Sequence, residues 1–274
     1  MKRFHSFIIL LFFAGLIPSY GQDLYSVRNS IKFADYLFEN GEYTFAAKEY
    51  YRLFIITDYS DSISTRFAKS MFLAKEYQEL ENALKKTYGA ENIPCGISSY
   101  YAKSLIISSP GSLSGFWINN SACFDNEEKQ YLKLSNLLLS HQYKDASTLY
   151  HTENDNTRVE SYDQVIASID NAKYKKVWLS VLFSSIIPGT GKAYCGYWKD
   201  GLFSFIMFGL SAWQAYSGFN RKGVNSVYGW VNGGLALAFY SGNIYGSIKA
   251  ANHHNYSIDH QIYHEAEKVF LLPD

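Results

Sequence analysis

Charge imbalance is missing from this chain. Its 25 Lys and Arg residues match 25 Asp and Glu residues, leaving a formal net charge of zero at pH 7. No basic field is there to draw a nucleic-acid backbone, so nucleic acid is set aside as a partner. Cysteine is scarce as well: Cys95, Cys123 and Cys195 are the three present, and no two form a C-x-x-C pair. Zinc-ribbon and thioredoxin chemistry lose their ligands with that absence. The chain also lacks an H-E-x-x-H, a Ser/His/Asp elbow, a paired-carboxylate signature and a dinucleotide fingerprint. It reads as a non-enzyme that uses no cofactor and no metal.

At the N-terminus, Lys2 and Arg3 precede an apolar core from Phe7 to Ile17, followed by Pro18 and Gly21. That layout predicts a secretory signal peptide over 1–21, cut before Gln22. No Cys follows the core, which argues against a lipoprotein anchor; the alternative is an uncleaved anchor or a buried helix. In an oxidising compartment Cys95 and Cys123 either pair as a disulfide or stay as two partly buried thiols. Closing that loop would contribute about 3 kcal/mol. Cys195 is expected to pack as a small apolar side chain.

A helical period follows. Ala34, Leu37, Gly41, Tyr43, Ala46, Tyr50 and Leu53 place small and large apolar residues on either side of a Gly turn. Shifted by 34 residues, Ala68, Met71, Tyr77, Leu80 and Leu84 occupy equivalent places. Ala102 and Leu105 continue the series, then Leu134, Leu137, Tyr143, Ala146 and Tyr150. The stretches GEYTFAAKEY and HQYKDASTLY carry the same turn-Tyr-x-x-Ala-x-x-x-Tyr core. This pattern resembles the tetratricopeptide repeat, a 34-residue helix-turn-helix unit, over Ile31 to Tyr150. Leu80 stands where that family prefers Ala, and the Pro that closes its repeats is absent. The alternative is an irregular helical bundle. Either way, amphipathic helices bury a shared seam that none could bury alone.

Pro110, Gly111 and Gly115 break the series, and Phe116 and Trp117 sit in the interruption. It is either an aromatic interaction loop or a loop whose rings fold back on neighbouring helices; the second is preferred. His151–Ser161 is a polar connector. Beyond it, VESYDQVIASIDNAKYKKVWLSVLFSSII offers one more helix pair, with Tyr174 at the turn position.

Charges thin out after Asp200. Gly201–Asn220 and Gly223–Ile248 carry none, with Arg221 and Lys222 between them. At 1.5 Å per residue the first reaches about 30 Å, which predicts a transmembrane span, and the second is longer. Val177–Ile187 reaches only about 16 Å and is either re-entrant, interfacial or extended through the PGTG bend. Two and three spans remain open, and a buried soluble hairpin is the alternative. Trp198, Trp213, Tyr216, Tyr228, Trp230 and Tyr245 are placed as interfacial aromatics. Pro188-Gly-Thr-Gly-Lys192 suggests a phosphate-binding loop, but Ile186 and Ala193 occupy the places of its first Gly and its Ser/Thr. The glycines instead suit a bend that passes close to neighbouring helices.

Three motifs mark this region: SSIIPGTGKAYCG, DGLFSF and FYSGNIYGS. They contain Pro188, Gly189, Gly191, Lys192, Tyr194 and Gly196, then Asp200 and Gly201, then Gly242, Asn243, Tyr245 and Gly246. The stretch Lys175–Asn255 is similar to a C-terminal module of tetratricopeptide-bearing envelope proteins of Gram-negative bacteria, and its first part resembles the TM2 hairpin. The resemblance implies membrane location and a repeat-bearing companion domain, and no activity. Asp200 reads as a helix cap before Gly201. His253, His254, His260 and His264 crowd the tail, and the i, i+4 pair His260/His264 could take a metal. A solvated amphipathic tail is preferred.

The expected architecture is all-α, with tetratricopeptide-like repeats followed by a transmembrane hairpin of two or three segments. Its parts are a signal peptide (1–21), a repeat domain (22–150), a connector with the last repeat helix (151–174), a membrane module (175–252) and a tail (253–274). The expected role is a membrane-anchored docking scaffold of the bacterial cell envelope with a periplasmic repeat domain. Expected partners are membrane lipid, a protein held by the repeats, and further copies of the chain. Two other roles stand beside it: an accessory in membrane-protein insertion or envelope assembly, and an oligomeric transport accessory.

Overall fold

A computed structural model describes residues 25–58, 60–152 and 159–272. The signal-peptide reading and most of the polar connector lie outside the described residues. Every regular element among those described is helical. The chain divides into two compact units, Met1–Ser108 and Ser109–Asp274. The division falls inside the stretch read from sequence as one repeat domain.

The first unit stacks α1 (Val27–Glu39), α2 (Tyr43–Ile56), α3 (Asp61–Leu73), α4 (Tyr77–Tyr88) and α5 (Cys95–Ser108). Its seam is formed by the periodic positions: Ala34, Ala46, Ala68 and Ala102 are fully buried, beside Leu53, Phe54, Leu80 and Leu84. Methyl side chains at the crossings let the helices approach, and the larger residues fill the space between them. Burying each leucine contributes about 1.5–3 kcal/mol.

The period is also written in the backbone. Gly41, Lys75 and His141 each adopt positive φ, at 77°, 61° and 60°. Each lies two residues before a tyrosine of the series: Tyr43, Tyr77 and Tyr143. At the first turn the Gly41 N–H donates to the Phe38 carbonyl at 3.0 Å and the Glu42 N–H to that of Leu37 at 2.9 Å. The same pair of bonds recurs from Lys75 and Glu76 to Phe72 and Met71, and from His141 and Gln142 to Leu138 and Leu137. This left-handed cap satisfies the last carbonyls of one helix and turns the chain into the next. The tyrosine ring then closes the corner, Tyr43 edge-on to Phe38 at 5.3 Å and Tyr77 tilted against Phe72 at 5.2 Å.

The second unit holds α6 (Ser112–Asn120), α7 (Asn126–Leu139), α8 (Tyr143–Thr152), α9 (Asp163–Asp170), α10 (Val177–Ile186), α11 (Thr190–Tyr194), α12 (Trp198–Lys222) and α13 (Val227–Phe270). The expected interruption is itself a helix. Gly111 takes φ 109° at its N-cap, and Asn136 of α7 grips that corner, accepting from the Gly111 N–H and from Ser114 Oγ while donating to the Gly111 carbonyl. Trp117 is half-buried with its edge on Phe124, whereas Phe116 is 70 % exposed. So one ring folds back and the other does not.

The C-terminal half departs from expectation. α12 and α13 form a hairpin, but among the described residues no helix is long and apolar enough to cross a membrane. This overturns the transmembrane hairpin, and with it the membrane-embedded placement in the cell envelope. The reason lies in the difference between uncharged and apolar. Ser204, Ser211, Gln214, Tyr216, Ser217 and Asn220 punctuate α12, and Asn232, Ser241, Asn243 and Ser247 punctuate α13. Each costs transfer energy although none is charged.

Nor is the tail a separate piece. α13 runs unbroken for 44 residues, about 66 Å, its first part against α12, α10 and α11 and its last against α7 and α9. Ile262, Ala266 and Phe270 are buried there, and the Phe270 ring stacks on Tyr131 at 6.3 Å. Tyr143 and Tyr174 both donate their hydroxyls to Asp259, to its carbonyl at 3.1 Å and its carboxylate at 2.6 Å respectively.

Candidate functional site

The three C-terminal motifs, far apart in sequence, meet at one place in the second unit. The PGTG bend is shaped by close backbone approach. A Cβ on Gly191 would lie 1.9 Å from the Ser180 carbonyl oxygen, and one on Gly189 would lie 2.0 Å from that of Gly201. Gly201 in turn sits against the Gly189 carbonyl, where a Cβ would come within 2.4 Å. The three glycines press the bend between α10 and the start of α12. Thr190 Oγ1 donates to the carbonyls of Phe183 and Ile187, ending α10. A helix precedes the bend, not a strand, and the five-residue α11 follows it.

Behind the bend lies a buried serine cluster. Ser180 Oγ is 3.0 Å from the carbonyls of both Gly191 and Ser247, and the hydroxyls of Ser184 and Ser247 meet at 2.5 Å. The Gly191 N–H donates to Ser184 Oγ at 3.0 Å, and Asn243 Nδ2 approaches the Ser184 carbonyl at 3.4 Å. Ser180, Ser184 and Ser247 are fully buried and Asn243 nearly so, and Asn243 Oδ1 accepts no bond. Cys195 is buried as expected but not merely apolar, its Sγ lying 3.5 Å from Ser180 Oγ. Neither Ser180, Ser184 nor Ser247 belongs to the functional residues read from sequence. The signal was available: Ser180/Ser184 and Asn243/Ser247 are i, i+4 pairs, each on one face of its helix.

On the outer side of the junction, Lys192 Nζ donates to Ser204 Oγ at 2.8 Å. Gly246 makes room for that lysine, since a Cβ there would stand 2.7 Å from Lys192 Cε. Tyr197 OH and His253 Nδ1 are 2.7 Å apart. Asp200 is not the cap expected of it. α12 begins at Trp198, and Asp200 lies in its first turn, where its charge faces the positive end of the helix. Together Lys192, Tyr197, Asp200, Ser204, Lys249 and His253 border a cavity of about 380 Å³.

The remaining motif residues are dispersed. Tyr194 packs edge-on to Phe183 at 5.4 Å and carries Lys175 Nζ 4.7 Å from its ring centre. Gly196 takes φ 94° in an open turn, Gly242 faces open space, and Tyr245 is exposed. Further along α13, Asn255 clamps the backbone of Lys175, accepting from its N–H at 2.7 Å and donating to its carbonyl at 2.9 Å. His260 and His264 approach Nε2 to Nε2 at 3.1 Å, but no group of three or more metal-ligating side chains occurs among the described residues.

The first unit has a groove of about 420 Å³ along α2, α3 and α4. Tyr51, Phe67 and Met71 supply apolar walls, and Lys48, Glu79 and Lys86 supply charge.

No protein-family model, curated protein or solved structure matches this chain.

Proposed function

We propose that the protein is a non-enzymatic docking scaffold that assembles with further copies of itself through the α12–α13 hairpin. One observation carries the reading: the hairpin is patterned inside out. Its inner contacts use Gly201, Ser211, Ala215 and Gly218 on α12 and Gly229, Asn232 and Ala236 on α13. Its large apolar residues face outward, with Trp213 and Leu237 each 67 % exposed and Phe205, Leu210 and Trp230 at least half exposed. Apolar surface on that scale does not rest in water, and marks an interaction face.

A second copy suits this face in size and relief. The hairpin is about 37 Å long and two helix diameters wide, so one side offers about 750 Å². A stable interface needs about 800 Å² from each partner. Gly209, Gly234 and Gly242 have open space where a Cβ would sit, which leaves notches for a neighbouring helix. The repeat-like unit is then multiplied in each assembly, and its groove is the place for a partner protein.

Sedimentation velocity on the full chain tests this. The expected result is an oligomer at micromolar concentration that Trp213→Glu combined with Leu237→Glu converts to monomer without loss of helix content. A monomer in the unsubstituted chain overturns the reading, as does a monomer that floats with vesicles.

A further inference from the structure

We propose that the cavity bordered by Lys192 and Lys249 binds the phosphate group of a small hydroxylated phosphate monoester. The first argument is the donor set. Lys192 spends one N–H on Ser204 and keeps two, and Lys249 borders the same cavity. Among the described residues neither ammonium is held in an ion pair, although the Asp200 carboxylate borders the same cavity. Tyr197 and His253, whose OH and Nδ1 lie 2.7 Å apart, add polar groups to the same rim. Several donors and two cations around one space fit a phosphate dianion.

The second argument is steric. Gly246 lies under the Lys192 stem where any Cβ would collide with Cε. The third is the regional charge. Asp200 is the sole carboxylate between Asp170 and Asp259, a stretch that holds Lys173, Lys175, Lys176, Lys192, Lys199 and Lys249, while Arg221 and Lys222 lie at the far end of α12, about 30 Å away. Asp200 borders the cavity too, and its place there calls for a hydroxyl donor on the ligand rather than a second anion. A volume of about 380 Å³ holds a phosphate with a three- to six-carbon polyol attached.

The ligand's phosphate could belong to a free metabolite or to a lipid headgroup, and the experiment separates them. The full chain is titrated calorimetrically with glycerol 1-phosphate and with inorganic phosphate, and in parallel mixed in a flotation assay with vesicles carrying phosphatidylinositol 4-phosphate, whose headgroup is a hydroxylated phosphate monoester. The expected result is saturable binding of glycerol 1-phosphate that Lys249→Met weakens at least tenfold. Lys192→Met does the same, and Lys199→Met, outside the cavity, leaves binding unchanged. Asp200→Asn should narrow the preference for glycerol 1-phosphate over inorganic phosphate. Lysine-dependent binding confined to the vesicles assigns the same chemistry to a headgroup. Absence of both, or binding that ignores Lys249→Met, overturns the proposal. Lys249 is exposed, so its substitution tests the site even where Lys192→Met disturbs the fold.

Discussion

At the residue scale, glycines divide into those required by neighbours and those required by conformation. Gly191 belongs to the first kind, because a methyl there has backbone on α10 in its place. Gly191→Ala should cost more than about 3 kcal/mol, read as a loss of thermal stability, since backbone cannot give way as a flexible side chain can. Gly41 belongs to the second kind, with φ 77° and open space around it, so Gly41→Ala should cost only about 1 kcal/mol. The same turn in the next pair holds Lys75 at φ 61°, and Lys75→Gly should stabilise by up to about 1 kcal/mol. Differential scanning calorimetry of the three variants ranks them directly.

Buried tyrosines add a pH dependence. Burial, then the bond to Asp35, pushes the Tyr50 phenol up to about 12; burial, then the charge of Glu81, does the same for Tyr101. Tyr143 is raised further by burial, with the charge of Asp259 adding to it. A phenol held protonated in the fold ionises first in the unfolded chain, near pH 10. Its stabilisation is complete below that value and is lost as pH rises to about 12. Melting temperature should therefore fall steadily across that window, and Tyr50→Phe should make the fall shallower.

At the scale of elements, two helices depend on contacts that secondary-structure propensity does not reveal. α10 is held by the serine cluster, in which Ser184 accepts from the Gly191 N–H. Ser184→Ala strands that donor in a buried site and should cost about 1–3 kcal/mol in urea unfolding. The last turns of α13 are held by Phe270 against Tyr131. Phe270→Ala should cost about 3–5 kcal/mol and raise proteolysis at the C-terminus. The helices of the first unit were legible as helices because their signal is local: a small residue at the crossings, and a tyrosine two places after Gly41 and Lys75. α6 was not legible, since Pro110 and Gly111 look like breakers until Asn136, 25 residues away, is seen to hold them. The three motifs were legible as motifs, but that Lys192 crosses Gly246 is a tertiary fact.

At the scale of the molecule, the sequence misleads where it is uncharged. Long runs without Lys, Arg, Asp or Glu suggest membrane spans, yet Tyr, Asn, Gln and Ser within them keep their polarity. The structure, not the composition, shows large apolar residues exposed on the hairpin, and in the proposed assembly a second copy covers them. Cover by a second copy is apolar contact, and salt screens charges without weakening it. The assembly should therefore persist from about 0.1 to 1 M sodium chloride in sedimentation velocity, whereas an ion-paired interface would dissociate.

α13 contains no proline, the usual cause of a sharp helix kink. It runs unbroken past the Ser241-Gly242 and Gly246-Ser247 steps, where helices also kink, and is gripped at one end by α12 and at the other by α7 and α9. A twist applied at the hairpin is therefore expected to be felt near Phe270 to the extent that these steps resist bending. One helix thus joins the face proposed for assembly to Asp259, on which Tyr143 and Tyr174 rest.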